Sequence, residues 1–357
     1  MAGNHRLPCS GLDLRELDNI VRAARERRGK SESWFDPDGW VGGGGARLMR
    51  ALVRMLLCTA LLTVSQSAMA AGLEVVASFS ILADMVKRVG GESVRVVTLV
   101  GPDQDSHSYR PTPEDLRTLA NAKLVFTNGA GFEGWLERLI AASGFDGVLV
   151  EATKGLVLHP PAPLVDPHSG RPFGSVATVD EVDPHAWQDP RLGIEYVGNI
   201  ERGFVAADPK GAPGYRRRGA AYRAEIEVIY AGLIRELNAV PEARRRIVVP
   251  HSGFGYLARA FKVTALAPGG IAGHGEISAA RLVAFARHVR KGGVRAIFLE
   301  PTSNPRIVRQ LARETGVPVA GVLYTDALSS PEGKAPTYLA MLKHNVETLI
   351  RVLKERR

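Results

Sequence analysis

Four side chains stand out as candidates for chemistry: His107 in PDQDSHSYRPTPEDL, His185 in DPHAWQDP, His251 in RIVVPHSGFGY and Asp326 in VAGVLYTD. Imidazole and carboxylate groups can move protons or hold a transition metal. Three imidazoles and one carboxylate, with no thiolate, would suit tetrahedral zinc. The four positions are far apart in the chain and form no short metal motif. Taken singly, each His reads more readily as a loop or capping residue than as a ligand. The other histidines have plainer readings. His5 lies in a leader. His288 and His344 fall on polar helix faces beside Arg, Lys or Glu, where a solvated ring is expected. His159, His168 and His274 lie in loops and are read as surface residues.

Thiolate chemistry is excluded by where the cysteines lie. The chain has only Cys9 and Cys58, and both precede the cleavage site of a secretory signal. Arg47, Arg50 and Arg54 form a basic segment, Met55 to Val64 an apolar one, and Ala68-Met69-Ala70 a small-x-small cleavage site. The apolar part is shorter than the roughly 20 residues a spanning helix needs, so a signal anchor is the lesser alternative. Cys58 follows Leu57, a poor lipoprotein context. Residues 1–45 are polar and Arg-rich and end in VGGGG. They make the basic segment unusually long, and Met49 is an alternative start. VGGGG lacks the Lys-Ser/Thr of a phosphate loop and follows no strand. Residues 1–70 are thus read as a leader cleaved after Ala70, leaving an exported, periplasmic chain with no disulfide.

Bulk composition is that of a globular protein. The 357 residues give a soft expectation of two or three domains, and 45% hydrophobic with 23% charged residues is ordinary. The formal net charge of +9 is scattered without a long basic block, which argues against nucleic acid as a partner.

The elements that must position the four side chains alternate in type. Short apolar runs fall at 73–78, 94–100, 123–128 and 147–151, and again at 246–251, 262–267, 295–300 and 317–324, with helical stretches between. This pattern predicts parallel βαβ units in two similarly built lobes: an N-terminal α/β lobe over 71–210 and a C-terminal one over 241–357. Between them, 211–240 holds a long helix. Its Tyr222, Ile226, Ile229, Leu233 and Leu237 form a helical stripe, and about 27 residues would span about 40 Å, enough to bridge two lobes. A final helix over 337–353 carries the same kind of stripe. Residues 156–182, rich in Pro and Gly, read as a long loop or short hairpin.

His107 follows the run 94–100. Behind it Thr112 is a predicted N-cap, Pro113 the first helical residue, and Glu114 and Asp115 acids of the first turn. With Pro102 and Pro111 these fix the loop at both ends. His251 closes one strand and Asp326 follows another. In open α/β sheets ligands bind beyond the carboxyl ends of strands, where His107, His251 and Asp326 fall. His185 lies in a Pro-bounded turn that the pattern places less firmly. Two candidates belong to each lobe, so a site between lobes would link metal to closure.

These pieces carry a family likeness. FSILADMVKRVGG, VGPDQDSHSYRPTPEDL, NGAGFEGWLERL, DPHAWQDP, HSGFGYLARAF, LYTDALS and TYLAMLKHNVETL stand in the order found in the cluster A-I substrate-binding proteins of zinc and manganese ABC transporters, the ZnuA/TroA-like family. The resemblance covers about residues 73–354. It implies two α/β lobes bridged by one long rigid helix, with metal between them. It places the ligands on His107, His185, His251 and Asp326. Manganese members typically carry Glu at the third position and zinc members His, so His251 points to zinc as the transported ion. Many zinc receptors have a long His-rich loop; the corresponding 156–182 holds only His159 and His168, which looks more like the AztC-type zinc receptors. HSGFGY stands where His-Asp-Ala-Phe-Gly-Tyr is commoner. The resemblance implies a monomeric receptor, not an enzyme, that delivers metal to a membrane ABC permease, with a periplasmic metallochaperone as a further partner. The alternatives are a manganese or iron receptor of the same build, a secreted zinc hydrolase, and an adhesin-like surface protein.

Overall fold

The computed structural model describes residues 72–161, 182–268 and 278–355. The leader with its cleavage site, His5, His168 and His274 lie outside the described residues. Both sets of apolar runs form parallel sheets. In the first lobe, β1 (Leu73–Phe79), β2 (Val94–Val100), β3 (Leu124–Thr127) and β4 (Val148–Glu151) lie in the order β2-β1-β3-β4. In the second, β5 (Arg246–Val248), β6 (Thr264–Leu266), β7 (Ala296–Leu299) and β8 (Val319–Val322) lie in the order β6-β5-β7-β8. The two orders are the same, so the lobes share a topology without a close sequence repeat. Central strands need both faces covered, so they read as continuous apolar runs. Val76 lies between Val97 and Val125, and Ile247 between Ala265 and Ala296.

Helices cover the sheets. The first lobe has α1 (Ser80–Gly90), α2 (Pro113–Asn121), α3 (Leu136–Ser143) and α4 (Pro190–Ala207). Next comes α5 (Ala212–Leu237), and the second lobe adds α6 (Gly255–Phe261), α7 (Ala279–Lys291) and α8 (Pro305–Thr315). The last element is α9 (Tyr338–Lys354). In each sheet the order reverses between the first strand and the third. Such a switch point opens a crevice at the carboxyl ends of the strands, and the candidate residues lie on the connections there.

The 26-residue α5 is about 39 Å long and crosses from one core to the other. Tyr215, Tyr222 and Ile226 are buried in the first core, Leu233 and Leu237 in the second, with Ile229 half-buried against the latter. The same is true of α9. Its Tyr338, Met341 and Leu342 lie in the first core, and Val346, Leu349 and Leu353 in the second. The sequence pattern anticipates one bridging helix, and the structure has a second. An amphipathic stripe shows which residues are buried but not which core receives them.

Candidate metal centre

Each candidate side chain is held by its own local structure. His107 sits between β2 and α2. Thr112 caps α2 in a full capping box: its side chain accepts from the Asp115 N–H, and the Asp115 carboxylate accepts from the Thr112 N–H at 2.6 Å. Ahead of the cap, Asp105 Oδ1 accepts from the His107 N–H at 2.9 Å. The Trp135 indole donates to the Ser106 carbonyl at 2.8 Å. His185 begins a 3-10 turn over Ala186–Gln188. Asp183 accepts from its N–H at 3.0 Å and lies 2.8 Å from its Nδ1.

His251 does not close β5, which ends at Val248; two residues carry the chain to an extended His251 that precedes a 3-10 turn. Its Nδ1 lies 2.7 Å from Glu300 Oε2, at the carboxyl end of β7. Gly253 makes this seat available, because a Cβ there would collide with His251 Nε2 and the Thr325 methyl. Asp326 follows β8.

The four side chains meet at one point. His107 Nε2 and His185 Nε2 are 3.1 Å apart. Asp326 Oδ1 lies 3.2 Å from His185 Nε2, and Oδ2 lies 3.3 Å from His251 Nε2 and 3.8 Å from His107 Nε2. All four donor atoms fall within 4.8 Å of one another. Ligands about 2.0–2.1 Å from a tetrahedral zinc are about 3.3 Å from each other, so the donor set is the right size for one ion. The side chains of His185, His251 and Asp326 are buried, and that of His107 is 7% exposed. His251 Nε2 and Asp326 Oδ1 are buried and make ion-pair contacts within the cluster, but no well-aligned hydrogen bond. Buried polar atoms are normally satisfied, and a cation at the centre would satisfy both more fully than the side chains satisfy one another.

Electrostatics divides the imidazoles. Burial, reinforced by His185 and His251, outweighs Asp326 and pulls His107 down to about 4. Burial also works against protonated His185, but Asp326 and Asp183 outweigh it and push the group up to about 9. For His251, burial is outweighed by Glu300 and Asp326, which hold it well above the usual range. Burial would raise Asp326, but His251 and His185 hold it well below the carboxylate range. The surrounding carboxylates thus favour the protonated form at His185 and His251, and burial favours the neutral form at His107.

The remaining histidines differ from the sequence reading in part. His344 is not solvated: it is half-buried, its Nε2 lies 3.0 Å from the Val322 carbonyl, and its ring meets Tyr324 edge-on. His288 is half-buried as well, and His159 is half-buried against Tyr256. Sequence reasoning did not single out Asp183 or Glu300. Both had a signal: Asp183 is two residues before His185 in the same turn, and Glu300 is an acid at a strand's carboxyl end, as Asp326 nearly is.

The chain is similar to known metal-binding proteins. The family model described as zinc-uptake complex component A, periplasmic, matches residues 75–352. The manganese-binding lipoprotein MntA of Halalkalibacterium halodurans is 29% identical over 78% of this chain and 88% of its own length. The iron-binding protein YfeA of Yersinia pestis is 30% identical over 77% of this chain and 85% of its own. Among solved structures, the periplasmic zinc-binding protein TroA of Treponema pallidum has the same fold, with a TM-score of 0.71 over 80% of this chain and all of that one, at 24% identity.

Proposed function

This chain belongs to the family of periplasmic zinc-uptake complex component A proteins, and we propose that it is a periplasmic zinc receptor that captures the ion at His107, His185, His251 and Asp326. Members of this family work with the permease of an ABC transporter. Here that means surrendering the ion to such a permease in the membrane, as a monomer, with a periplasmic metallochaperone as donor. The leader read from the sequence supports export. The observation that carries the reading is the convergence of three imidazoles and one carboxylate within 4.8 Å. Four protein donors leave no open position for an activated water, unlike a catalytic zinc with three, which disfavours the hydrolase reading. Capture and release need no change in the ion.

Zinc as cargo rests on the donor set, since imidazole-rich sites suit zinc better than manganese, which favours oxygen. A second reading, manganese or iron, has support of its own. The related proteins named above include a manganese and an iron binder. Both Asp326 oxygens also face the cluster, so the carboxylate is placed to bind through both and raise the coordination number. Equilibrium competition between zinc and manganese on chelator-stripped protein separates the readings. Zinc outbinds manganese at most nitrogen and oxygen sites, so the zinc reading expects zinc to hold the site against manganese at the free concentrations the two ions have physiologically. Manganese bound as tightly, or more tightly, would overturn it.

A further inference from the structure

Chain order assigns His107 and His185 to the first lobe and His251 and Asp326 to the second. The contacts divide them differently. After Leu323 the chain leaves the second sheet and attaches to the first lobe. The Trp187 indole and the Gln188 amide both donate to the Thr325 carbonyl at 2.9 Å, one residue before Asp326. Two residues after it, the Leu328 N–H donates to Ser80 Oγ at 2.9 Å and the Leu328 carbonyl accepts from the Asp103 N–H at 2.9 Å. The Ser330 N–H donates to Asp103 Oδ2 at 3.0 Å, on the His107 loop. The Tyr338 N–H donates to Asp84 at 2.9 Å, and its hydroxyl to the Trp187 carbonyl at 2.7 Å. Leu328, Ala335 and Tyr338 are buried in the first core. Asp326 is thus mounted on the body that carries His107 and His185.

His251 is mounted otherwise. Its orienting carboxylate, Glu300, and the neighbouring Val249 and Phe254 belong to the second lobe. Near the site this body meets the first lobe through α6. A Cβ at Gly255 would lie 2.5 Å from Asp183 Oδ2, so the helix start rests against the turn that holds His185. The Tyr256 ring is buried in the first core, and its hydroxyl donates to the Asp183 carbonyl at 3.0 Å and accepts from the His159 N–H at 3.0 Å.

We propose that the site opens by withdrawal of His251 alone, leaving His107, His185 and Asp326 together as a three-donor face, and that the Tyr256 hydroxyl is the latch that holds His251 closed. The inference rests on the reading of these four residues as metal ligands. It gives transfer a definite chemistry. The bond from metal to His251 Nε2 breaks, and a donor side chain of the acceptor takes the vacated position. The ion keeps its charge and is never stripped of all its protein ligands. Tyr256 touches no donor atom in this scheme; it is a positioning residue.

The test is the rate of zinc loss to excess chelator from zinc-loaded full-length chain. Tyr256→Phe keeps the ring and removes the hydroxyl with its two hydrogen bonds, to the Asp183 carbonyl and the His159 N–H, and their loss at the closed state speeds release at least about fivefold. Zinc stoichiometry stays at wild type, and so does the cobalt-substituted absorption spectrum, which reports the ligand set. Gly255→Ala, which wedges α6 away from Asp183, speeds release too. An unchanged rate in both variants, with one zinc still bound per chain, overturns the latch. A wild type that binds no zinc instead sinks the ligand reading beneath it. Hydrogen exchange on the unaltered protein tests the split without any substitution. On removal of zinc, amides of 252–261 lose protection while those of 327–330 keep theirs. Loss of protection in both segments together would refute the three-plus-one division.

Discussion

Glu300→Gln removes one negative charge beside His251 and keeps the size of the side chain. Glu300 Oε2 lies 2.7 Å from His251 Nδ1, and both side chains are buried. With metal on Nε2, Nδ1 carries the proton and faces the carboxylate. An interaction of that kind contributes about 1.5–3 kcal/mol against about 0.5–1.5 for a neutral one. The difference, about 1–1.5 kcal/mol, is about a tenfold loss of affinity, at the low end of what orienting partners of metal-bound histidine contribute. A second effect opposes it. In metal-free protein Glu300 is the leading influence that holds His251 well above its usual range against burial, so the incoming ion must displace a proton. Glutamine lowers that group and weakens the competition. The loss is therefore smallest at acid pH and grows as pH rises. The metal-free fold responds in the opposite sense: stability from protonated His251 is fully present below the ordinary histidine value of about 6.5 and is lost as pH rises through the raised one. The metal-free variant thus melts below wild type at pH 6, with a gap that narrows on the alkaline side. Chelator competition and thermal melts across pH 6–9 measure both. No loss of affinity, or a loss that shrinks as pH rises, would refute the reasoning.

Metal binding at pH 7 expels about two protons per ion, because His185, at about 9, and His251 start protonated while His107, at about 4, does not. Calorimetry in buffers of different ionisation enthalpy reads the number, and a value near zero would mean that the imidazoles start neutral. Thr112→Ala removes one side of the capping box on α2 and destabilises the protein by about 1 kcal/mol, measured by urea unfolding of the metal-free chain; an unchanged midpoint would show that the cap contributes nothing.

The eight strands among the described residues were legible as apolar runs: the central β1, β3, β5 and β7 need no alternation because both faces are covered, and the edge strands keep apolar runs although part of them is exposed, as at Val148 and Leu149 of β4. Their ends were not: the run 246–251 extends past β5, which ends at Val248, since the buried Val249, whose N–H still donates to the Leu266 carbonyl at 2.9 Å, continues the apolar run into the connection. The order β2-β1-β3-β4 could not be read, as nothing in a strand's composition names its neighbours. The stripes of α5 and α9 were visible, but α9's passage between cores was not. His107, His251 and Asp326 were placed at strand ends by pattern, while His185 depended on the family likeness. Asp183 and Glu300 were overlooked because a buried acid and a solvated one look alike in sequence. His344 was misread for the same reason: polar neighbours on a helix do not reveal the Val322 carbonyl that meets its ring.

X-ray absorption on zinc-loaded full-length chain tests the ligand set most directly. The structure predicts a single ion with three imidazole nitrogens and one carboxylate at about 2.0–2.1 Å and no water in the first shell. A spectrum with two imidazoles or fewer, or with a water completing the coordination, would contradict it.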